Sequence, residues 1–372
     1  MVITLVQNLF TTKETKIPLM KTSDVEKVKE RILHKVSSPL AIHADEQEII
    51  KEIKNETFLK NANNVTRTKA YLDFYCSHPE IHWAFLAHMV SRNAGYHMTD
   101  LKGELLPSII ERKEAENFFL FLERANAYIF HDAYPQLLLY HQSIKKKKPL
   151  FHLLPAFGVS RAMSVFWERF WQEREPVELS LTLIINEQNM LQKRLLSNLD
   201  EGYLQEKLLF LLQDRLELTT VFFPYIKKLK IKQTYSLAGT SVSHFEDPQK
   251  RIEIGKRLYS ILFLKKTVKQ SSLEFAVNTH HTGSRSDYWP DSYSSSPTDC
   301  KRIFSPLLKS VWKNVPHTFF SEDWVNERTL RDLDILKAIS IPKHFDVTLQ
   351  AKVIVKFSAK LKNLSTRTRL PV

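Results

Sequence analysis

Glycine is the scarce residue of this chain, with seven in 372 residues, where average usage of roughly 7% would supply more than about twenty. Hairpins and strand turns draw on glycine for backbone angles that other residues resist, whereas helix interiors are weakened by it. With leucine, lysine, glutamate and arginine plentiful, the balance favours helices. The expected fold is mainly α: a multi-helical, bundle-like architecture of one intimately packed unit or two packed lobes. Hydrophobic residues make up 43% and aromatics 11%, enough for a substantial core.

The same scarcity removes chemistry. No two glycines are closer than the eight positions separating Gly95 and Gly103. The dinucleotide fingerprint, the phosphate-binding loop and the GxSxG nucleophile elbow all need closer pairs, so none can be built here. Two distant cysteines, Cys76 and Cys300, exclude four-cysteine zinc sites, CxxC redox pairs and a disulfide framework. They point to a reducing cytoplasmic setting. No histidine is followed by glutamate, so the HExxH zinc motif is absent. No apolar run is long enough to cross a membrane, and the segment Met1–Met20 lacks the basic start of a signal peptide.

The formal net charge is +13, a field that attracts anions from small phosphorylated metabolites to nucleic acid. The excess lies in Lys145–Lys148, in Lys227, Lys228, Lys230 and Lys232, and in the tail from Lys352 to Arg369. Such runs are most often solvated loops or helix faces.

Along the chain, helices are expected over Asp24–His34, Asp45–Leu59, Val65–Ser77 with Asn64 as cap, and Pro79 to Gly95, with the glycine as stop. The last of these is apolar nearly all round, through Trp83, Phe85, Leu86 and Met89, and so reads as buried. A long helix should run from Ser108 to Asp132 and end or kink at Pro135. Further helices are expected over Gly158–Glu173, Pro176–Ser197, Glu201–Thr219 and Pro248–Leu264. Gly255 inside the last one implies close packing against another helix. Residues 278–301 read as a long irregular loop. In the tail, Val347, Leu349, Val353, Val355 and Phe357 alternate in a way that admits a strand. The organisation reads as N-terminal helices over 1–60, a helical core region over 61–147, a second helical region over 148–340 and a basic C-terminal tail over 341–372.

Three blocks carry the densest polar chemistry. In the first, Asn63–Gly103, helical spacing puts His88 and Arg92 on one stripe and Asn93 on the next, with Arg67 on the preceding helix. Either these groups form a satisfied network that locks three helices together, or Arg67 and Arg92 grip an anion with His88 as acid or base. The second block, Thr240–Tyr259, is explained largely by helix capping at Asp247 and Pro248. The third, Thr279–Pro290, combines His281, Arg285, Asp287 and Trp289, a mixture suited either to recognising a polar or aromatic ligand or to bracing a rigid loop. His78 and His82 have metal-ligand spacing, but Pro79 disfavours helical backbone at His78. The His131–Asp132 pair matches part of a helical phosphohydrolase pattern, with His88 or His97 as early ligand and Asp200 or Asp214 as the last. A dipeptide is thin support, so no metal is expected, and His88, His131 and Asp132 stand as the catalytic candidates.

Together the stretches NVTRTKAYLDFY (Asn64–Tyr75), HPEIHWAFLAHMVSRNAGYHMTDLKG (His78–Gly103), HFEDPQKRIEIGKRLY and HTGSRSDYWP resemble the YppC-like family of Bacillus and related Firmicutes, over roughly Glu46–Asn326. That family is of unknown function, so the resemblance implies a cytosolic bacterial setting and supplies no catalytic residues. Three functions remain open: a protein binding a small anionic or polar ligand between the 63–103 and 279–291 blocks, a basic nucleic-acid-associated protein, or a scaffold or interaction protein without a catalytic site.

Overall fold

The computed structural model describes residues 14–35, 42–104, 106–108, 110–196, 220–227, 235–242, 247–299 and 301–356. It is mainly α, with α1 (Thr22–His34), α2 (Ala44–Lys60), α3 (Asn64–Ser77), α4 (His82–Asp100), α5 (Arg112–Lys146), α6 (Arg161–Glu173), α7 (Pro176–Arg194), α8 (Pro248–Leu264), α9 (Lys266–Asn278) and the one-turn α10 (Leu308–Val311). The helix expected over Glu201–Thr219, along with Lys228, Lys230, Lys232, Asp200, Asp214 and Cys300, lies outside the described residues.

The centre of the molecule is α4. It packs on α3, α5, α7 and α8, and it is buried on all sides, from Trp83 and Phe85 to Tyr96 and Met98. Burial all round follows from a sequence with no continuous polar face. The core around it takes side chains from both sides of Lys145–Lys148.

Several boundaries differ from expectation, each for a physical reason. Asn63, not Asn64, caps α3: its side chain accepts from the Thr66 amide, and Thr66 Oγ1 accepts in return from the Asn63 amide, both at 3.1 Å. That capping box satisfies two amides at once and leaves Asn64 to turn inward. Pro79 and Glu80 form a turn ahead of α4 instead of its first residues, and α4 continues through Gly95 to Asp100. The long helix α5 starts after Glu111 and passes through Pro135 without ending. Proline there removes one main-chain hydrogen bond, but Tyr134, Leu137, Leu138 and Leu139 beside it are all buried, and that packing carries the helix through. Gly255 behaves as expected: a Cβ there would lie 2.6 Å from Ile184 Cγ2 of α7.

The strands are short. β2 (Thr220–Tyr225) and β3 (Ser236–Ser241) pair antiparallel, with Phe222 opposite Gly239. β4 (Tyr293–Ser294), within the long loop, forms a two-residue parallel contact with β5 (Ile303–Phe304), just after it. β1 (Thr15–Pro18) pairs antiparallel with β6 (Ala338–Ile341), Thr15 opposite Ile341. In the tail, Asp346 bridges to Ala238, and residues 348–356 are helical. The strand of this region therefore precedes the alternation that pointed to one. No helix among the described residues is long and apolar enough to cross a membrane.

Candidate functional site

The first and third polar blocks meet. Asp287 is the hub: its carboxylate accepts from the Thr282 amide (3.0 Å) and hydroxyl (2.6 Å), and it faces His281 Nδ1 at 3.4 Å and Arg92 Nη2 at 3.6 Å. Arg92 donates to the Thr279 carbonyl (2.8 Å) and the Tyr96 hydroxyl (3.2 Å), with its guanidinium 4.5 Å from the centre of the Phe275 ring. His281 Nε2 lies 2.9 Å from Asn64 Oδ1, the side chain that capping by Asn63 released. Arg285 forks onto Asp100, with contacts of 2.6 to 3.0 Å, and donates to the Tyr288 hydroxyl at 2.7 Å.

Asn93 acts as a strand partner. Its side chain donates to the Phe222 carbonyl (2.7 Å) and accepts from the Phe222 amide (3.1 Å), fixing β2 to α4. Trp289 donates to the Tyr235 carbonyl at 2.8 Å. His88 Nδ1 is 2.7 Å from the Thr68 carbonyl. Arg92, Asn93, His88 and His281 are all buried, and most of their polar atoms meet protein groups, while Arg92 Nη2, His281 Nδ1 and His88 Nε2 have no hydrogen-bond partner.

Burial sets the electrostatics here. Desolvation drives His281 down to about 4 despite the neighbouring Asp287 carboxylate. It also pushes Asp287 up, but His281, Arg92 and Thr282 together outweigh it and hold the carboxyl below its ordinary value. The junction at neutral pH is thus a neutral histidine beside an Arg–Asp pair.

Gly95 marks how closely the blocks approach. A Cβ there would fall 2.5 Å from both Asn64 Oδ1 and His281 Nε2. Gly95→Ala should therefore destabilise by about 1–3 kcal/mol through overpacking, although alanine is intrinsically the better helix former by roughly 1 kcal/mol. Urea denaturation measures this; a variant as stable as the parent would contradict the close approach.

The remaining candidates lie elsewhere. Asp132 is buried at the centre of a second polar cluster, accepting from Asn186 (2.6 Å) and Gln136 (2.9 Å), with Arg194 at 3.4 Å. Burial raises its carboxyl above the ordinary value. His131 stacks on Phe319, with centroids 4.0 Å apart, and burial lowers it to about 4. Its ring and the Asp132 carboxylate are thus engaged with different partners. Among the described residues, no group of three or more His, Cys, Asp or Glu side chains is arranged to hold a metal ion.

His131 does line an open space. A cleft of about 900 Å³ is walled by Lys54, Thr57, Phe58 and Leu59 of α2, His131 and Pro135 of α5, Phe157 and Gly158, and the irregular strap 314–321. The strap is anchored on both sides. Trp312 stacks on Phe119 at 4.0 Å and donates to the Met98 carbonyl, and Trp324 donates to Asn186 Oδ1 at 2.8 Å. Between them, the Tyr128 hydroxyl donates to the Thr318 carbonyl.

Two lining side chains carry buried polar atoms without a hydrogen-bond partner, Thr57 Oγ1 and His317 Nε2. Behind His317 lies Glu123, with Oε1 at 3.7 Å and its other oxygen 2.5 Å from Arg67 Nη2. Arg67 in turn donates to Asn61 Oδ1, another lining residue, at 3.1 Å. A second hollow, lined by Gln47, Ile50, Lys51, Lys54 and Ala156, adjoins the cleft and shares Lys54 and Ala156 with it.

A family model described as "Protein of unknown function (DUF2515)" matches residues 59–337, three quarters of the chain. The chain belongs to this family. It is 38% identical over 305 residues to the "Uncharacterized protein YppC" of Bacillus subtilis (strain 168), a match covering 81% of this chain and 90% of that protein. The resemblance read from the sequence blocks is thereby established. No solved structure matches the chain.

Of the residues singled out in the sequence, Arg92, Asn93, His281, Arg285, Asp287 and Trp289 come together, or nearly so, at the α4–loop junction. Only Arg67 and His131 belong to the cleft and its floor. Lys54, Thr57, Glu123 and His317 were not foreseen. Glu123 had a legible signal: it follows the apolar run Phe118–Leu122 on the same helical stripe as Ala115, Phe119 and Ala127, where a carboxylate needs a buried partner.

Proposed function

We propose that this protein binds a small amphipathic organic molecule, apolar in its body and anionic at one end, in the cleft between α2, α5 and the 314–321 strap. On this reading the junction of the 63–103 and 279–291 blocks is the frame that holds the helices. The observation that carries the reading is the cleft itself: about 900 Å³, walled mostly by apolar side chains, with the unpartnered Thr57 hydroxyl and the His317 ring among its few polar groups. Ligand sites have this size and this mixture of apolar walls and few polar handles. The anionic end follows from Lys54. It stands where the cleft meets the second hollow and forms no ion pair among the described residues, while Lys51 beside it reaches Glu48 only at 3.8 Å.

The dye 8-anilinonaphthalene-1-sulfonate has this chemistry, a pair of aromatic units carrying a sulfonate. It should bind the folded protein saturably at one site, with fluorescence enhancement. Ala62→Phe, which fills the cleft at its α2 edge, should weaken binding at least about tenfold while the near-ultraviolet circular dichroism is retained. Lys54→Met should weaken it about twofold to fivefold, as a partly solvated charge contact does, and added salt should erase that difference. Undiminished dye binding in Ala62→Phe would overturn the reading.

A further inference from the structure

Arg67, Glu123 and His317 form a line of charged and polar groups running from the core to the cleft. Arg67 and Glu123 are buried to within 2% of complete enclosure, and the His317 side chain is 7% exposed. Three of their atoms, Arg67 Nε, Glu123 Oε1 and His317 Nε2, lack hydrogen-bond partners. Two of these, Glu123 Oε1 and His317 Nε2, face each other at 3.7 Å, less than about one ångström beyond hydrogen-bond distance.

Unpartnered buried atoms are costly, and a pair of them poised just out of reach belongs to an arrangement that tightens when something binds. Glu123 is held as a carboxylate: burial pushes it up, but Arg67 and His317 outweigh that and leave it below its ordinary value. A carboxylate only accepts, so the histidine nitrogen that meets it must carry the proton. In the neutral ring this selects the tautomer with the proton on Nε2, which leaves the lone pair on Nδ1.

We propose that His317 is the proton acceptor of the cleft, oriented by Glu123, and that the bound molecule presents it with an acidic hydroxyl, a phenol or enol. This rests on the cleft being the ligand site. Glu123 is a positioning residue: its carboxylate takes the Nε2 hydrogen bond, and Arg67 keeps it ionised. The transfer is simple to balance. The ligand O–H bond breaks, the proton joins Nδ1, the electron pair stays on the ligand oxygen, and the imidazolium that forms is stabilised by Glu123. Thr57, across the cleft on α2, supplies a hydroxyl for the same ligand.

The test compares 4-nitrophenol with nitrobenzene, which has the same ring and nitro group without the hydroxyl. In the parent protein 4-nitrophenol should bind about tenfold more tightly, the worth of one hydrogen bond in a desolvated site. Its visible band should move toward that of the phenolate on binding. In His317→Phe the two compounds should bind alike and the band shift should vanish. In Glu123→Gln, read only on protein with intact near-ultraviolet circular dichroism, the preference should also fall.

Equal binding of the two compounds to the parent protein, with the naphthalenesulfonate dye still bound in the cleft, overturns the proton-acceptor role and leaves the ligand site standing. A preference that survives in His317→Phe overturns it as well. Absence of binding by the dye and both nitroaromatics overturns the two proposals together. The comparison in the parent protein needs no variant, so failure of Glu123→Gln to fold does not decide the matter.

Discussion

Lowering the pH from about 6.5 to about 4.5 is expected to cost this protein much of its stability, because its buried imidazoles outweigh Glu187, whose carboxyl burial raises to about 8 and which works in the opposite direction. His82, His131 and His281 are each driven by burial from 6.5 to about 4. In the unfolded chain these imidazoles take up protons near pH 6.5, whereas in the folded protein they do so only near pH 4. Between those values the unfolded state binds more protons, so the folding free energy falls as the pH falls. Each shift is worth roughly 3 kcal/mol at full expression, against a total stability of about 5–15 kcal/mol for an ordinary domain. Asp287 acts in a lower window. Its folded-state value is depressed, so its contribution is present above 3.8 and is lost only as the pH drops through that lower value. Urea midpoints measured at half-unit steps should therefore decline steeply from pH 6.5 downwards. A flat profile down to pH 4.5 would mean that these imidazoles are not buried as neutral groups.

Asp287→Ala is expected to destabilise by about 3–5 kcal/mol, the cost of stripping a buried cation of its partner. The variant leaves the Arg92 guanidinium, 1% exposed, facing a cavity, and removes the acceptor for the Thr282 amide and hydroxyl. The double variant Asp287→Leu with Arg92→Met should recover much of that loss, because it removes the charge as well as its partner. A double variant as unstable as the sum of the two single ones would show that the pair is not coupled. The same experiment bears on the junction as frame or ligand site. A stable double variant that still binds the naphthalenesulfonate dye separates the junction from the cleft.

The sequence made α4 legible because its burial is written into local composition: Trp83, Phe85, Leu86 and Met89 allow no solvent face. Cap and stop residues were less reliable guides. Asn63 and Asn64 are both competent caps, and only the inward partners of Asn64, Ser91 and His281, decide which one is used. Gly95 carries the signal of a helix stop but serves a close approach, and Pro135 carries the signal of a break that packing overrides. β2 and β3 could not be read because they are held by Asn93 and by each other, not by their own alternation. The junction was half legible: its two blocks were recognisable as polar and aromatic, but which of their groups meet is a property of the fold. The cleft was not legible at all. Its walls come from four segments, around residues 54–62, 131–135, 156–158 and 314–321, each unremarkable alone.

The pairing of β1 with β6 has a consequence for how the chain acquires its structure during synthesis. Thr15–Pro18 emerges from the ribosome more than three hundred residues before its partner Ala338–Ile341. The neighbouring α1 can dock earlier on α6, where Lys35 reaches Glu168 at 2.9 Å, but its contact with the turn Thr329–Lys337, where Lys29 reaches Asp334 at 2.9 Å, also comes late. The helices packed on α4 can condense around it while this strand waits. Its closure is therefore among the last folding events, a long-range contact whose entropy is met only after the interior exists. Until then the nascent protein carries an unpaired strand edge, which is the interval in which a chaperone would have something to hold.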